Sequence, residues 1–157
     1  MKKTSKEIFQ ETPEVQLSEH YWLSDFVCTA EAIRYGIDNT PYTEEDVEAL
    51  RLICNKVMEP LRARFGVLKI ARGYLIPELC DKAFGDKSSQ HGRGEEVDLL
   101  VSSVDVLRKY YRFITEQLSY DQVTVELKPR GKVHRLHISY VNPQENRNRV
   151  TSHYPLW

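Results

Sequence analysis

The chain has 157 residues, with 22 Lys+Arg against 23 Asp+Glu, a formal net charge of -1, and it is 41% hydrophobic and 29% charged. That length suits one domain able to bury about 68–70% of its unfolded surface, and that composition excludes a disordered chain. With balanced charge and no apolar run near the roughly 18 residues of a membrane helix, no nucleic acid and no membrane is expected as a partner.

The opening MKKTSKEIFQETPE is basic but lacks the apolar stretch of a signal peptide, so a cytoplasmic product is expected. Cys28, Cys54 and Cys80 are odd in number, widely spaced and in no C-x-x-C pair, which reads as reduced thiols without a zinc knuckle. Residues 1–20 are polar and aperiodic, an N-terminal arm. Ser24 is suited to cap a helix over 25–35, which Gly36 stops. Thr43 and Asp46 form a capping box with the shorter acid and open the longest helix. Along it Val47, Leu50, Cys54, Val57 and Leu61 make one apolar stripe, ending near Phe65 and Gly66.

A short strand over 67–71 follows, then a helix over 78–84 with Pro77 in its first turn. A loop over 85–94 leads to 97–101, too apolar at successive positions for an exposed strand and therefore central. Ser103 caps a third long helix with Val104, Leu107, Tyr111, Ile114 and Leu118 on one stripe. Val123, Val125 and Leu127 alternate with polar residues as a half-buried strand, and a turn at 128–131 returns it through a strand over 133–141. Helices first and antiparallel strands last favour an α+β fold, helices packed on a small, mainly antiparallel sheet. One domain over 21–142, a C-terminal tail over 143–157 and a monomer are expected.

Five histidines are present. His20 and His153 lie in terminal segments and read as solvated. His91 precedes a strand that carries Asp98, and His134 and His137 lie on the return strand. Two imidazoles and a carboxylate from neighbouring strands would make a zinc site, with a position left open for a water that zinc acidifies. By spacing alone the blander readings, a surface-loop His and a backbone-bonded strand Asp, are favoured.

The letters around them are more specific. Ser89-Gln90-His91-Gly92-Arg93-Gly94-Glu95-Glu96-Val97-Asp98 resembles the S-x-H-x-x-G-x-A-x-D signature of zinc D-alanyl-D-alanine carboxypeptidases, a family that includes phage L-alanyl-D-glutamate endopeptidases. Leu23-Ser24-Asp25-Phe26, Gly36-Ile37-Asp38-Asn39-Thr40-Pro41, Val57-Met58-Glu59-Pro60-Leu61-Arg62, Gly73-Tyr74 with Pro77-Glu78-Leu79, and Leu136-His137-Ile138-Ser139-Tyr140 resemble further segments of the phage-type members, so the likeness runs from about residue 20 to 141. It implies a Hedgehog/DD-peptidase fold, one Zn2+ ion held by His91, Asp98 and His137, and hydrolysis of peptidoglycan stem peptides. Without a signal peptide, such a protein would reach the wall through a holin or lysis.

The departures from that pattern are informative. The family places a carboxylate general base three residues before the last ligand, and here His134 stands there. A neutral imidazole can accept a proton near pH 7, but an odd separation puts His134 and His137 on opposite faces of a regular strand, so a bulge would be needed. Glu96 replaces a small Ala on the face of Asp98, where it could crowd the metal, hold a ligand His or serve as base; Glu126 is a further candidate base. Leu75 replaces the family's Arg, which leaves Arg72 and Arg93 as candidate anion clamps. Ser89 and Tyr74 complete the candidate substrate-binding set, and Tyr140, like Tyr74, could donate to an oxyanion. The altered base and Arg positions also admit a second reading, a catalytically impaired binding or structural module of the same fold.

Overall fold

The computed structural model describes residues 14–128 and 133–152. Most of the expected arm, all but Lys128 of the expected turn at 128–131, residue 132, His153 and residues 154–157 lie outside the described residues. From residue 14 onward the expected arm is docked: Leu17 is buried, and Leu23 donates its N–H to the Val15 carbonyl.

The expected helix over 25–35 is two helices, α1 (Ser24–Val27) and α2 (Ala30–Tyr35). Ser24 is not the cap. Thr29 is, accepting from the Ala32 N–H at 3.2 Å in extended backbone, and that competing cap divides the run. Gly36 ends α2 as expected. The Thr43–Asp46 capping box is formed and opens α3 (Glu44–Ile53). A π-helical turn, Cys54–Met58, then leads into α4 (Glu59–Phe65). Pro60 has no N–H to return to the Lys56 carbonyl, and the chain widens there rather than breaking. Then come β1 (Lys69–Arg72), α5 (Pro77–Phe84), a 3-10 turn (Gln90–Arg93), β2 (Glu96–Val101), α6 (Val104–Gln117), β3 (Gln122–Glu126), β4 (His134–Ser139) and β5 (Arg149–Ser152).

The strands form one sheet in the order β1-β2-β4-β3-β5, antiparallel except for the parallel pair β3–β5. The fold is thus α+β with a mixed sheet. β5, in the expected tail, was not read from the sequence: Arg149-Val150-Thr151-Ser152 is too short and polar to announce a strand, and its pairing with β3 makes it one. The sheet has one apolar face. Val97, Leu99 and Val101 of β2, Leu136 and Ile138 of β4, and Val123 and Val125 of β3 join one core with Leu50, Ile53, Val57 and Leu61 of the long helix and Leu107 and Ile114 of α6.

Two glycines bring the elements close enough for the site described below. A Cβ on Gly73 would lie 2.6 Å from the Phe26 ring. Gly94 has φ +69°, and a Cβ there would collide with the Asp46 carbonyl oxygen and press on Leu50 of α3. Gly94→Ala therefore carries both a backbone penalty and a clash with a helix. It is expected to lower the free energy of unfolding by about 2–4 kcal/mol, measured by urea titration.

Candidate metal centre

Each strand contributes one residue to a single row across the sheet. Arg72 of β1 pairs with Asp98 of β2, Asp98 with His137 of β4, His137 with Thr124 of β3, and Thr124 with Thr151 of β5. Residues directly opposite in paired strands share a face, so the row lies on the face away from the core. The register of β1 slips by one residue between Ile70 and Arg72, and this bulge turns Arg72 rather than Ala71 toward Asp98.

His91 approaches the row from the 3-10 turn. The Ser89 hydroxyl accepts from its N–H at 3.3 Å, and Phe84 of α5 stacks on its ring with centroids 5.5 Å apart. Its Nδ1 donates to the Gly73 carbonyl at 2.6 Å, because a carbonyl only accepts. Nε2 is thereby turned toward the row, 3.2 Å from Asp98 Oδ2 and 3.5 Å from Glu96 Oε1. His137 is held at both nitrogens: Nδ1 lies 2.7 Å from Asp98 Oδ1 and Nε2 lies 2.9 Å from Glu126 Oε2. His91, Glu96, Asp98 and His137 line an open pocket of about 260 Å3, together with Phe84, Ser89 and Thr124.

The electrostatics follow from burial. Asp98 is fully buried, which alone would favour its neutral form, yet His91 and His137 hold its carboxyl well below the usual carboxylate range. For His137 burial works against the charge, and the bonds to Asp98 and Glu126 override it, raising the pKa to about 9. His91 is raised by the same competition, burial against the Asp98 carboxylate. Glu96 moves up: desolvation leads, His91 opposes it, and the Asp98 charge adds to it.

The donor set fits a divalent cation. Asp98 Oδ2 is buried without a hydrogen-bond donor, although His91 Nε2 and Arg72 Nε each lie 3.2 Å away. The ligand atoms of His91, Glu96 and Asp98 lie within 4.8 Å of one another. On His91 the atom turned toward Asp98 can carry a lone pair, because Nδ1 is fixed by the Gly73 carbonyl, the arrangement that orients metal-binding imidazoles; His137 is not part of that cluster, and both its nitrogens are engaged by carboxylates.

The remaining candidates are placed differently from expectation. His134 does not reach the row. The β2–β4 register is unbroken from Val101–His134 to Glu96–Ser139, so no bulge turns it, and it lies on the core face, where Nδ1 accepts from the Lys128 N–H at 3.0 Å. Tyr74 is buried with its hydroxyl donating to the Pro41 carbonyl at 3.0 Å, and Tyr140 is buried in the core. Arg93 braces its own loop through Glu95 (2.9 Å) and the Ser88 carbonyl (2.8 Å) and does not line the pocket. Arg72 lies in the row but is engaged there: Nε is 3.2 Å from Glu31 as well as from Asp98, and its guanidinium lies 4.9 Å over Phe84. Glu126 holds His137 from behind and is paired with Lys128. His20 is exposed, as expected, and is bonded to Glu59 at 2.8 Å.

Phe84, Thr124, Glu31 and Asn39 were not anticipated. Thr124 is legible in principle, two residues before Glu126 on one strand face. Asn39 is buried with every bond made: it donates to the Val27 and Tyr74 carbonyls and accepts from the Ile76 N–H, which holds the segment carrying Gly73. Phe84 and Glu31 give no sequence signal, since helices bring them in from elsewhere. No family model, curated protein or solved structure matches the chain.

Two outcomes are expected. In metal-free protein the His137 charge stabilises the fold fully below about pH 6.5, the unfolded value, and this contribution fades as pH rises through about 9. His137→Gln should flatten the unfolding free energy over that interval in a pH series of denaturant titrations. Glu126→Gln removes one of the two carboxylates that hold the His137 charge, and should lower the His137 pKa in an NMR titration.

Proposed function

We propose that the protein is a zinc peptidase of the D-alanyl-D-alanine carboxypeptidase and L-alanyl-D-glutamate endopeptidase type, with their Hedgehog/DD-peptidase fold, acting on peptidoglycan stem peptides. The observation that carries this reading is the buried Asp98 carboxylate at the edge of an open pocket, with Oδ2, which has no hydrogen-bond donor, 3.2 Å from His91 Nε2, and Oδ1 2.7 Å from His137 Nδ1. The three residues are those that the signature resemblance selects as ligands.

His91, Asp98 and His137 would hold the ion. When bound, zinc supplies Lewis acidity, polarising the scissile carbonyl and acidifying the attacking water. Glu96 takes over the role expected of His134. It lines the pocket beside the ligands, and its raised pKa brings it toward the working range of a general base. Its carboxylate takes a proton from the attacking water as oxygen bonds to the peptide carbon, then delivers it to the departing amine as the C–N bond breaks. Glu126 and the Gly73 carbonyl keep the two imidazoles in fixed orientation. Thr124 offers a hydroxyl on the pocket wall for substrate polar groups.

The same Glu96 supports a second reading. With its Oε1 3.5 Å from His91 Nε2 it could complete the ligand set, and four protein ligands close a zinc site and make it structural. One variant separates the two. Glu96→Ala should retain one zinc per chain by elemental analysis and lose hydrolysis of a soluble stem peptide about 100-fold or more. Unchanged or increased hydrolysis would favour Glu96 as a plug. Zinc-loaded wild type that releases no product from any stem peptide would favour the structural module.

A further inference from the structure

A groove of about 650 Å3 runs between α4 and α6, lined by Arg64 and Phe65 of α4 and by Lys109, Arg112, Phe113 and Glu116 of α6. Lys109, Arg112 and Glu116 follow at three and four residues, a single exposed stripe. Among the described residues no ion pair engages Arg64, Lys109 or Arg112, as none engages several other cations such as Arg34, Lys69 and Lys87; what sets the three apart is that they line one groove. In a chain of net charge -1, three unpaired cations against one Glu116 make a locally positive trough.

The floor decides which polyanion fits. Phe65 packs at 5.0 Å against Tyr110 and edge-on at 5.7 Å against Phe113, and Arg64 lies 5.8 Å over its ring. The Phe65 ring is thus engaged by three neighbours, which disfavours its use as a platform for a stacked nucleobase. Aliphatic polyol carbons need only the ring edges. Guanidinium groups suit phosphate oxygens. The far end of the long helix, roughly 30 Å away along its axis, is acidic: Glu44, Glu45 and Glu48 surround a second groove with Glu95. A polyanion is repelled there and drawn to the α4–α6 end.

We propose that the α4–α6 groove docks a phosphodiester-linked polyol polymer of the cell wall. The choice of that source rests on the reading of the protein as a wall peptidase. The groove is formed by α6, which packs on the core face of the sheet, whereas the metal row lies on the opposite face. Docking and hydrolysis can therefore be measured apart.

The test uses the zinc-loaded full chain and fluorescent poly(glycerol phosphate) across a salt series. Three phosphate contacts predict a log–log salt slope of about -2. Lys109→Glu with Arg112→Glu should weaken binding about 10-fold or more and flatten that slope, while zinc content and hydrolysis of a soluble stem peptide stay at wild-type level. Arg64→Gln, a milder change at another exposed position, should move in the same direction. Absence of polymer binding, binding that the double variant leaves unchanged, or equally tight binding of an oligothymidylate of matched charge would overturn the proposal. Polymer binding that depends on these residues, in a protein that cleaves no stem peptide, would sink the peptidase reading and leave the groove standing.

Discussion

The unbroken register between β2 and β4 is the constraint on which the site depends. It sets Asp98 opposite His137 and, by alternation, sends Val97, Leu99, Leu136 and Ile138 to the core. A slip of one residue would exchange the two faces, sinking the charged row into the core. The hydrophobic effect, acting on the apolar face, thus locks the geometry of the polar one. The slip that does occur, the bulge in β1, lies at the sheet's edge and serves to turn a single arginine.

A fully buried carboxylate is tolerable only if its charge is answered. Asp98 has two imidazoles and a guanidinium around it, and each is tied in turn: His91 to the Gly73 carbonyl, His137 to Glu126, Arg72 to Glu31. Removing one member of such a buried set typically costs about 3–5 kcal/mol, since the rest are left uncompensated. This explains why Arg72 is no free anion receptor despite its place in the row. A neighbouring network has the same logic. Asp121 accepts from Arg147 at 2.8 and 2.7 Å and from Gln90 at 2.9 Å, joining the 3-10 turn that carries His91 to the segment leading into β5. Arg147 is the main cause that draws the Asp121 carboxyl down to about 2.

Legibility in the sequence followed the range of the interactions. Capping at Thr43 and Ser103, the helical stripes and the strand alternation depend on neighbours within a few residues, and they were readable. His134 shows the same rule from the other side: alternation points away from the polar row, and the residue lies where alternation puts it. Thr29 was missed because Ser24 offered an equally good local cap. β5, Phe84, Glu31 and the role of Glu126 behind His137 depend on partners far along the chain, which local pattern does not encode. Arg93 and Tyr74 were readable as polar candidates, but which group each would bond was not.

The π-helical turn at Cys54–Met58 has a mechanical consequence. A wide turn accommodates one residue beyond the α-helical count, and each residue of an α-helix turns the chain by about 100°. The turn therefore acts as a phase shifter between the two halves of one rod: α3 meets the turn that bears His91, while α4 presents Arg64 and Phe65 to α6. Deleting one residue within it would return the rod to uniform α pitch with the α4 half still facing α6, whereas a deletion elsewhere along the rod would swing that half through about 100° and part the basic groove from its aromatic floor.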